Sequence, residues 1–274
     1  MDSIQAFVLG LVQGLAEYLP ISSSGHLAIF REILGLDMSG AESLEFDVTL
    51  HVATVLSTIV VLWREFVPLC TSFLTFKRDA NTTYVWKILL SCIPIAIIGL
   101  CFKDQVEAIF GDGLMIVGIC LCITALLLSF TYFFTPQRID IPNYGRRDIS
   151  FKDAFIIGCA QAIAVLPGLS RSGTTIATGL LLGDNKAKVA QFSFFMVIIP
   201  ILGEALLGVK DLISDGPTGD VGFLQLLIGF VTAFIVGCVA CKWMLDIVKK
   251  GKLVWFAVYC VIVGALCIGY SLMS

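Results

Sequence analysis

Apolar residues fill four windows of membrane-spanning length, 114–134, 189–209, 221–241 and 253–273. A helix needs about 20 such residues to cross a bilayer, so each window predicts a span. Two further windows carry polar residues. Residues 47–63 hold Asp47 near one end and His51 a turn inside, and 86–102 begin at Trp86-Lys87, where the Lys stem reaches back to the interface. Two more segments, 4–34 and 153–183, have another pattern: an apolar run of roughly 15 residues, a break rich in Pro, Gly and Ser, and a second run of about ten. Neither run is long enough to cross alone, so each segment is expected to form a re-entrant helical hairpin.

These two segments share a skeleton. At a constant offset of 148 residues, Ala6, Phe7, Gly10, Gln13, Ala16, Ser22, Ser24, Gly25, Leu34 and Gly35 recur as Ala154, Phe155, Gly158, Gln161, Ala164, Ser170, Ser172, Gly173, Leu182 and Gly183. The matched Gly, Gln and Ser positions carry more weight than Ala, Leu and Phe, which coincide readily in so apolar a chain. The copies differ where chemistry is possible. Glu17 faces Val165, Ser23 faces Arg171 and His26 faces Thr174, so one copy brings acid, hydroxyl and imidazole and the other a cation.

Composition agrees with a membrane protein. With 58% hydrophobic and 14% charged residues and a mean hydropathy of +0.95, the chain is far from the roughly 25% charge of soluble domains. The start, Met1-Asp2-Ser3-Ile4, lacks the basic n-region of a signal peptide, so the first apolar stretch is expected to stay in the mature protein. A net charge of -3 offers no general basic face, so no nucleic-acid partner is expected. The ten cysteines lie almost wholly in apolar stretches, where they pack as small hydrophobes. Cys238-x-x-Cys241 has metal-like spacing but no His partners in its span.

Charge then orients the spans, because Lys and Arg accumulate in cytoplasmic loops. Loop 64–85 carries Arg64, Lys77 and Arg78; loop 135–152 carries Arg138, Arg146, Arg147 and Lys152; the turn after the fifth span carries Lys242, Lys249, Lys250 and Lys252. These belong inside. Segments 35–46, 103–113 and 210–220 are acid-rich and belong outside. Both termini are then outside, hairpin 4–34 dips from the outer face, and hairpin 153–183 dips from the inner face. The expected architecture is all-α: a single membrane domain over 1–274, with six spans and two hairpins in an inverted-topology repeat whose halves run about 1–134 and 150–274.

The tips concentrate the reactive residues. Gln13 and Glu17 are four apart and share a helix face. Ser22, Ser23, Ser24 and His26 follow, while the second tip reads Pro167-Gly-Leu-Ser170-Arg171-Ser172-Gly-Thr174. Helix starts present unpaired N–H groups that suit anions, and Arg171 adds a forked donor suited to phosphate. Serines there also serve as ordinary caps. An ionisable group in a membrane segment is costly and therefore points to function. His51 admits two readings, a bond to a neighbour or a role at the site, and Glu204 is an intramembrane acid with no partner evident from sequence.

The pattern Gln13-x-x-x-Glu17 with Pro20 to His26, then Pro167 to Gly173, resembles the undecaprenyl-diphosphate phosphatases, the bacitracin-resistance membrane enzymes of cell-wall synthesis. The resemblance extends to Phe46-x-x-x-Leu50-His51-x-x-Thr54, Phe192-Ser193-Phe194 and Ile199-Pro200, and so covers essentially the whole chain. It implies a homodimer in the bacterial plasma membrane that removes the terminal phosphate from a C55 prenyl diphosphate, and the charge ladder, which opens the first hairpin outward, places the entrance to the site on the outer face. The family's first acidic position holds Glu or Gln; Gln13 here argues against a two-carboxylate mechanism or a paired-acid metal site. Catalysis is assigned to Glu17, Ser23, His26 and Arg171, and substrate binding to Gln13, Ser22, Ser24, Ser170, Ser172 and Thr174. Mg²⁺ or Ca²⁺ would bind, if used, through Glu17 and the substrate phosphates. Ser23, His26 or water can each be the attacking group; the favoured expectation is Ser23, with Glu17 orienting His26. A competing class is a carrier or flippase for a lipid phosphate or anion, since inverted repeats and broken helices also build transporters. The acid phosphatase superfamily shares Ser24-Gly25-His26, but its Lys-x6-Arg-Pro element is missing.

Overall fold

The computed structural model describes residues 1–36, 38, 40–102, 113–134, 145–215, 221–251 and 253–273, the side chains of 40, 41 and 207–215 excepted. Among them are twelve helices: α1 Ser3–Ala16, α2 Ser23–Ile33, α3 Gly40–Val61, α4 Trp63–Leu74, α5 Ala80–Cys101, α6 Gly113–Phe134, α7 Phe151–Ile163, α8 Arg171–Leu182, α9 Lys186–Met196, α10 Ile198–Asp215, α11 Phe223–Lys250 and α12 Val254–Met273. Among the described residues six stretches are long and apolar enough to cross a membrane: Glu42–Val61, Ala80–Cys101, Gly113–Phe134, Lys186–Leu206, Phe223–Lys250 and Val254–Met273. All six windows expected from hydropathy are present. Their outward faces are lined by large apolar side chains such as Leu100, Leu206 and Leu266, each more than half exposed.

The two repeat segments fold alike. Helices α1 and α7 both open with a capping box, from Asp2 and from Ser150, which stand at the same offset as the rest of the repeat. Ser22 and Ser170 then cap α2 and α8, their hydroxyls accepting from Gly25 N and Gly173 N. Gly35 and Gly183 end the segments with φ of 60° and 90°, a left-handed conformation that glycine adopts without strain. In each segment the two ends meet. Gln5 Nε2 donates to Leu34 O at 3.4 Å, and Arg147 joins Asp153 near the start of α7 to Asp184 after the end of α8. Both segments are therefore helical hairpins.

Each hairpin packs its first helix on a long helix from the other half of the chain, α1 on α11 and α7 on α5. Small residues allow the approach. A Cβ on Gly10 would lie 2.6 Å from Gly229 O, and one on Gly158 only 2.4 Å from Ser91 O. Such close backbone contact is how apolar helices gain van der Waals packing in lipid, where water does not drive them together.

Three features depart from the expected ladder. The fifth span continues to Lys250, so Lys242, Lys249 and Lys250 lie on α11 rather than in a turn; long Lys stems let a helix run through the interface, and their charge favours its C-terminal end. The fourth span is interrupted at Val197, between α9 and α10. Pro200 has no N–H to bond Met196 O, and the Cys92 thiol donates to that carbonyl instead at 3.4 Å. The first part of the expected inward loop 64–85 is helical, α4 running Trp63–Leu74. Asp37, Arg138 and Lys252, nearly all of loop 103–113 and residues 216–220 lie outside the described residues. Lys87 Nζ lies 5.5 Å above the Phe151 ring, a cation–π contact at the start of α7.

Candidate active site

The breaks after α1 and before α8 meet in the interior. Ser172 Oγ donates to Leu19 O at 3.1 Å, and Gly25 and Gly173 leave just enough room for Gly168 and Pro20 to pass. Tip contact brings Glu17 and Arg171 close enough for the guanidinium to act on the carboxylate. Both line a cavity of about 20 Å³ together with Tyr18, Thr54, Ser172 and Ser193. That volume suits little more than one water. A phosphoryl group therefore enters only if side chains around it give way.

Glu17 is the hub. Its Oε2 accepts from Ser23 Oγ at 2.8 Å and from Gln13 Nε2 at 3.0 Å, and lies 3.6 Å from His51 Nε2. Gln13 reaches it because four residues make one helical turn, and Ser23 because the chain doubles back between α1 and α2. The neighbouring Tyr18 fixes that bend: its hydroxyl donates to Thr54 O at 2.6 Å and stands 2.5 Å and 2.8 Å from the Ser57 and Thr58 hydroxyls. Ser22 completes the turn at φ 72°, a left-handed position uncommon for a residue with a side chain.

His26 does not meet Glu17 as expected. Its Nδ1 faces Ser22 O at 2.8 Å and its Nε2 faces the Tyr259 hydroxyl at 2.7 Å, with the two rings stacked. Donation from Nδ1 to the carbonyl leaves Nε2 to accept from Tyr259, so both nitrogens are engaged away from the carboxylate. The expectation that Glu17 orients His26 is therefore corrected. His51 occupies that place instead, and its position one turn inside a span within the Phe46 to Thr54 motif was the available signal. Tyr259, a half-exposed residue of the last span, gave none.

The remaining predicted residues divide in two. Ser22 and Ser170 use their hydroxyls as caps, and each neighbours the serine two residues further on, Ser22 to Ser24 at 3.3 Å and Ser170 to Ser172 at 3.4 Å. Gln13 Oε1 and Thr174 Oγ1 are buried with no hydrogen-bond partner among the described residues, as are both polar atoms of Gln161, the repeat counterpart of Gln13. Such atoms are normally satisfied by water or ligand. Glu204 lies near enough to act on Asp47, which is ion-paired with Arg31.

Among the described residues no group of three or more His, Cys, Asp or Glu side chains is placed to hold a metal ion. Glu17 offers one carboxylate, with Oε2 already shared. A hard cation carried mainly by water and phosphate oxygens needs no more than that from the protein, so the donor set fits a substrate-borne ion and not a protein-built cage.

Residues 6–266 match the family model described as bacitracin resistance protein BacA. A relative from Bacteroides fragilis, named undecaprenyl-diphosphatase, is 58% identical over 272 residues, 99% of each chain. One from Parabacteroides distasonis with the same name is 56% identical over 275 residues, the whole of both chains. A third so named, from the more distant Methanobrevibacter smithii, is 38% identical over 282 residues, covering 97% of this chain and 96% of its own. With nearly its full length matched and the contacting tips among the matched residues, this chain belongs to the BacA family of bacitracin resistance proteins.

Proposed function

We propose that this chain hydrolyses undecaprenyl diphosphate to undecaprenyl phosphate and inorganic phosphate, returning the lipid carrier to cell-wall synthesis. The observation that carries this reading is the joining of Ser23, Glu17 and Arg171 across two hairpin tips. Full-length relatives named for that activity support it. Ser23 attacks the terminal phosphorus and Glu17 takes its proton at Oε2, where the hydrogen bond already lies. Arg171 and the first N–H groups of α2 and α8 hold the phosphoryl oxygens as charge shifts to the leaving oxygen. Ser24, Ser172 and Thr174 complete the phosphate pocket, while Ser22, Ser170 and Gln13 hold its frame. His26 braces the first tip through Ser22. An Mg²⁺ or Ca²⁺ ion entering with the substrate would take Glu17 as its protein ligand and neutralise phosphate charge.

The hairpins are read as re-entrant and upside down relative to one another, each half contributing one. The matched caps and the exchanged packing of α1 on α11 and α7 on α5 support this inverted repeat. On the charge ladder both termini lie outside, the site opens to the outer face of the plasma membrane, and the prenyl tail stays in lipid. The working unit is taken as a homodimer. A carrier would need the cation but not the bonded acid and hydroxyl.

Phosphate release from prenyl diphosphates of several lengths by the pure protein in detergent, where no gradient exists, tests the reading. Turnover that is lost in Arg171→Ala is expected. Binding without turnover in the intact protein would instead make it a carrier.

A further inference from the structure

Helix α12 is the last span, and its Val258, Val261, Ile262 and Leu266 turn outward, each about half exposed or more. At two adjacent positions it reaches inward to the first tip instead. The Cys260 thiol donates to Pro20 O at 3.7 Å, and the Tyr259 hydroxyl lies 2.7 Å from His26 Nε2. A tyrosine on the outside of a span is ordinarily an interface anchor with its hydroxyl among the headgroups. Tyr259 is more than a turn inside α12 and 40% exposed, yet its hydroxyl meets an imidazole that is only 4% exposed. The two rings stack, with centroids 5.6 Å apart and planes at 15°. Their support is firm. Helix α12 lies so close to α6 that a Cβ on Gly118 would stand 2.8 Å from Gly264 O, and Val117 of α6 bears on Gly25 of the tip.

The direction of each bond follows from its donors. A carbonyl only accepts, so His26 Nδ1 donates to Ser22 O at 2.8 Å; Nε2 then carries a lone pair, and the phenol donates to it. Ser22 O also accepts from His26 N at 3.2 Å, and the Ser22 hydroxyl caps Gly25 N. Ser22 itself sits at φ 72°, a conformation that its surroundings have to hold. Ser23 is the next residue, and its Oγ donates from that turn to Glu17. Tyr259, His26, Ser22 and Ser23 form one run of contacts from the outer wall of the helix bundle to the reacting hydroxyl.

Taking Ser23 as the nucleophile of the proposed function, we propose that Tyr259 is a positioning residue for its attack. Through His26 it fixes the Ser22 carbonyl, and with it the turn that presents Ser23 Oγ to the terminal phosphorus. Tyr259 gives up no proton and touches no phosphate; its one hydrogen bond keeps the imidazole from turning. Without that bond His26 is free to rotate, Ser22 relaxes from its left-handed angle, and Ser23 Oγ moves off line. A shift of about 1 Å in a reacting group costs about a hundredfold in rate. Arg171 and the first N–H groups of α8 lie on the other tip and keep their hold on phosphate, so the loss falls on kcat and not on KM.

The test is Tyr259→Phe in the full chain in detergent, a change that keeps the ring and its stack and removes only the hydroxyl. Phosphate release from a prenyl diphosphate gives kcat and KM. Nitrogen NMR of protein labelled at histidine reads the bond itself, because His26 and His51 are the only histidines in the chain. Expected are a kcat lower by about tenfold to a hundredfold, KM within about twofold, little change in apparent unfolding temperature, and a displaced His26 Nε2 resonance with those of His51 in place. Added to His26→Gln, Tyr259→Phe should cost little more, since the hydroxyl acts only through the imidazole. Wild-type kcat in Tyr259→Phe would overturn the proposal, as would losses that multiply in the double variant. So would a lowered kcat with the His26 resonances unmoved, or a raised KM together with a lowered unfolding temperature, the mark of a merely structural role. A wild type that releases no phosphate overturns this and the proposed function together, whereas an active wild type with an unaffected Tyr259→Phe overturns this alone.

Discussion

Ser23 donates its hydroxyl hydrogen bond to Glu17 at 2.8 Å across the first hairpin tip. The bond joins residues of one tip, while the cation that acts on the same carboxylate comes from the other. If hydroxyl and acid act as one unit, removing either removes the same step. Ser23→Ala and Glu17→Gln should each lower kcat by about a hundredfold or more, and the double variant should be little worse than the single ones. Steady-state phosphate release from all four proteins gives the cycle. Losses that multiply would separate the two residues.

Arg171 stands where the repeat has Ser23, at the first position of α8. A guanidinium presents a planar fork to phosphate oxygens, and an ammonium presents a point charge. Arg171→Lys should therefore keep the charge yet lose about tenfold to a hundredfold in kcat/KM, and Arg171→Ala more, about a hundredfold to a thousandfold. Equal rates for the Lys variant and the wild type would mean that charge alone is needed.

Local features of this fold were legible in the chain, and most long-range ones were not. Span lengths, tip breaks and the serine caps depend on residues within a few positions of each other. The repeat made the two hairpins visible because Ser22 and Ser170 do the same capping at the same offset. That the tips touch followed from dividing acid and cation between them. His51 was ambiguous because its meeting with Glu17 depends on how α3 lies against the first tip, and nothing local encodes that packing. Tyr259 is 233 residues from His26, on a helix whose sequence reads only as lipid-facing. The pairing that was expected, Glu17 with His26, failed because the left-handed turn at Ser22 aims its carbonyl at the imidazole.

Gly158 is held against α5 so closely that an added Cβ would meet Ser91 O at 2.4 Å and Ser91 Cα at 2.7 Å. Backbone cannot swing aside as a flexible side chain can, so α5 and α7 must separate. Gly158→Ala should cost about 1–3 kcal/mol and lower the apparent unfolding temperature in detergent. Gly99→Ala is the control, since nothing lies within 4 Å of its added Cβ. A Gly158→Ala protein as stable as the control would show that the two helices slide apart freely.

Asp184 follows α8 at the base of the second hairpin, with its side chain buried, its Oδ1 3.4 Å from Arg147 and its Oδ2 lacking a hydrogen-bond partner among the described residues. Burial, and then the nearby Asp153 carboxylate, push its pKa from 3.8 up to about 6 despite Arg147. An acid whose folded pKa is raised binds more protons folded than unfolded between those two values. Its contribution to stability therefore falls as pH rises through that window, and the deficit is complete above about pH 6. Asp184→Asn keeps an acceptor for Arg147 and removes the ionisation. The variant should unfold at a higher apparent temperature than the wild type at about pH 7.5, and the gap should close as the pH is lowered through the same window to about 4, where both side chains are neutral. Thermal scans of both proteins in one detergent at these pH values measure it. A variant less stable at neutral pH would mean that the ion pair with Arg147 outweighs the cost of burying the charge.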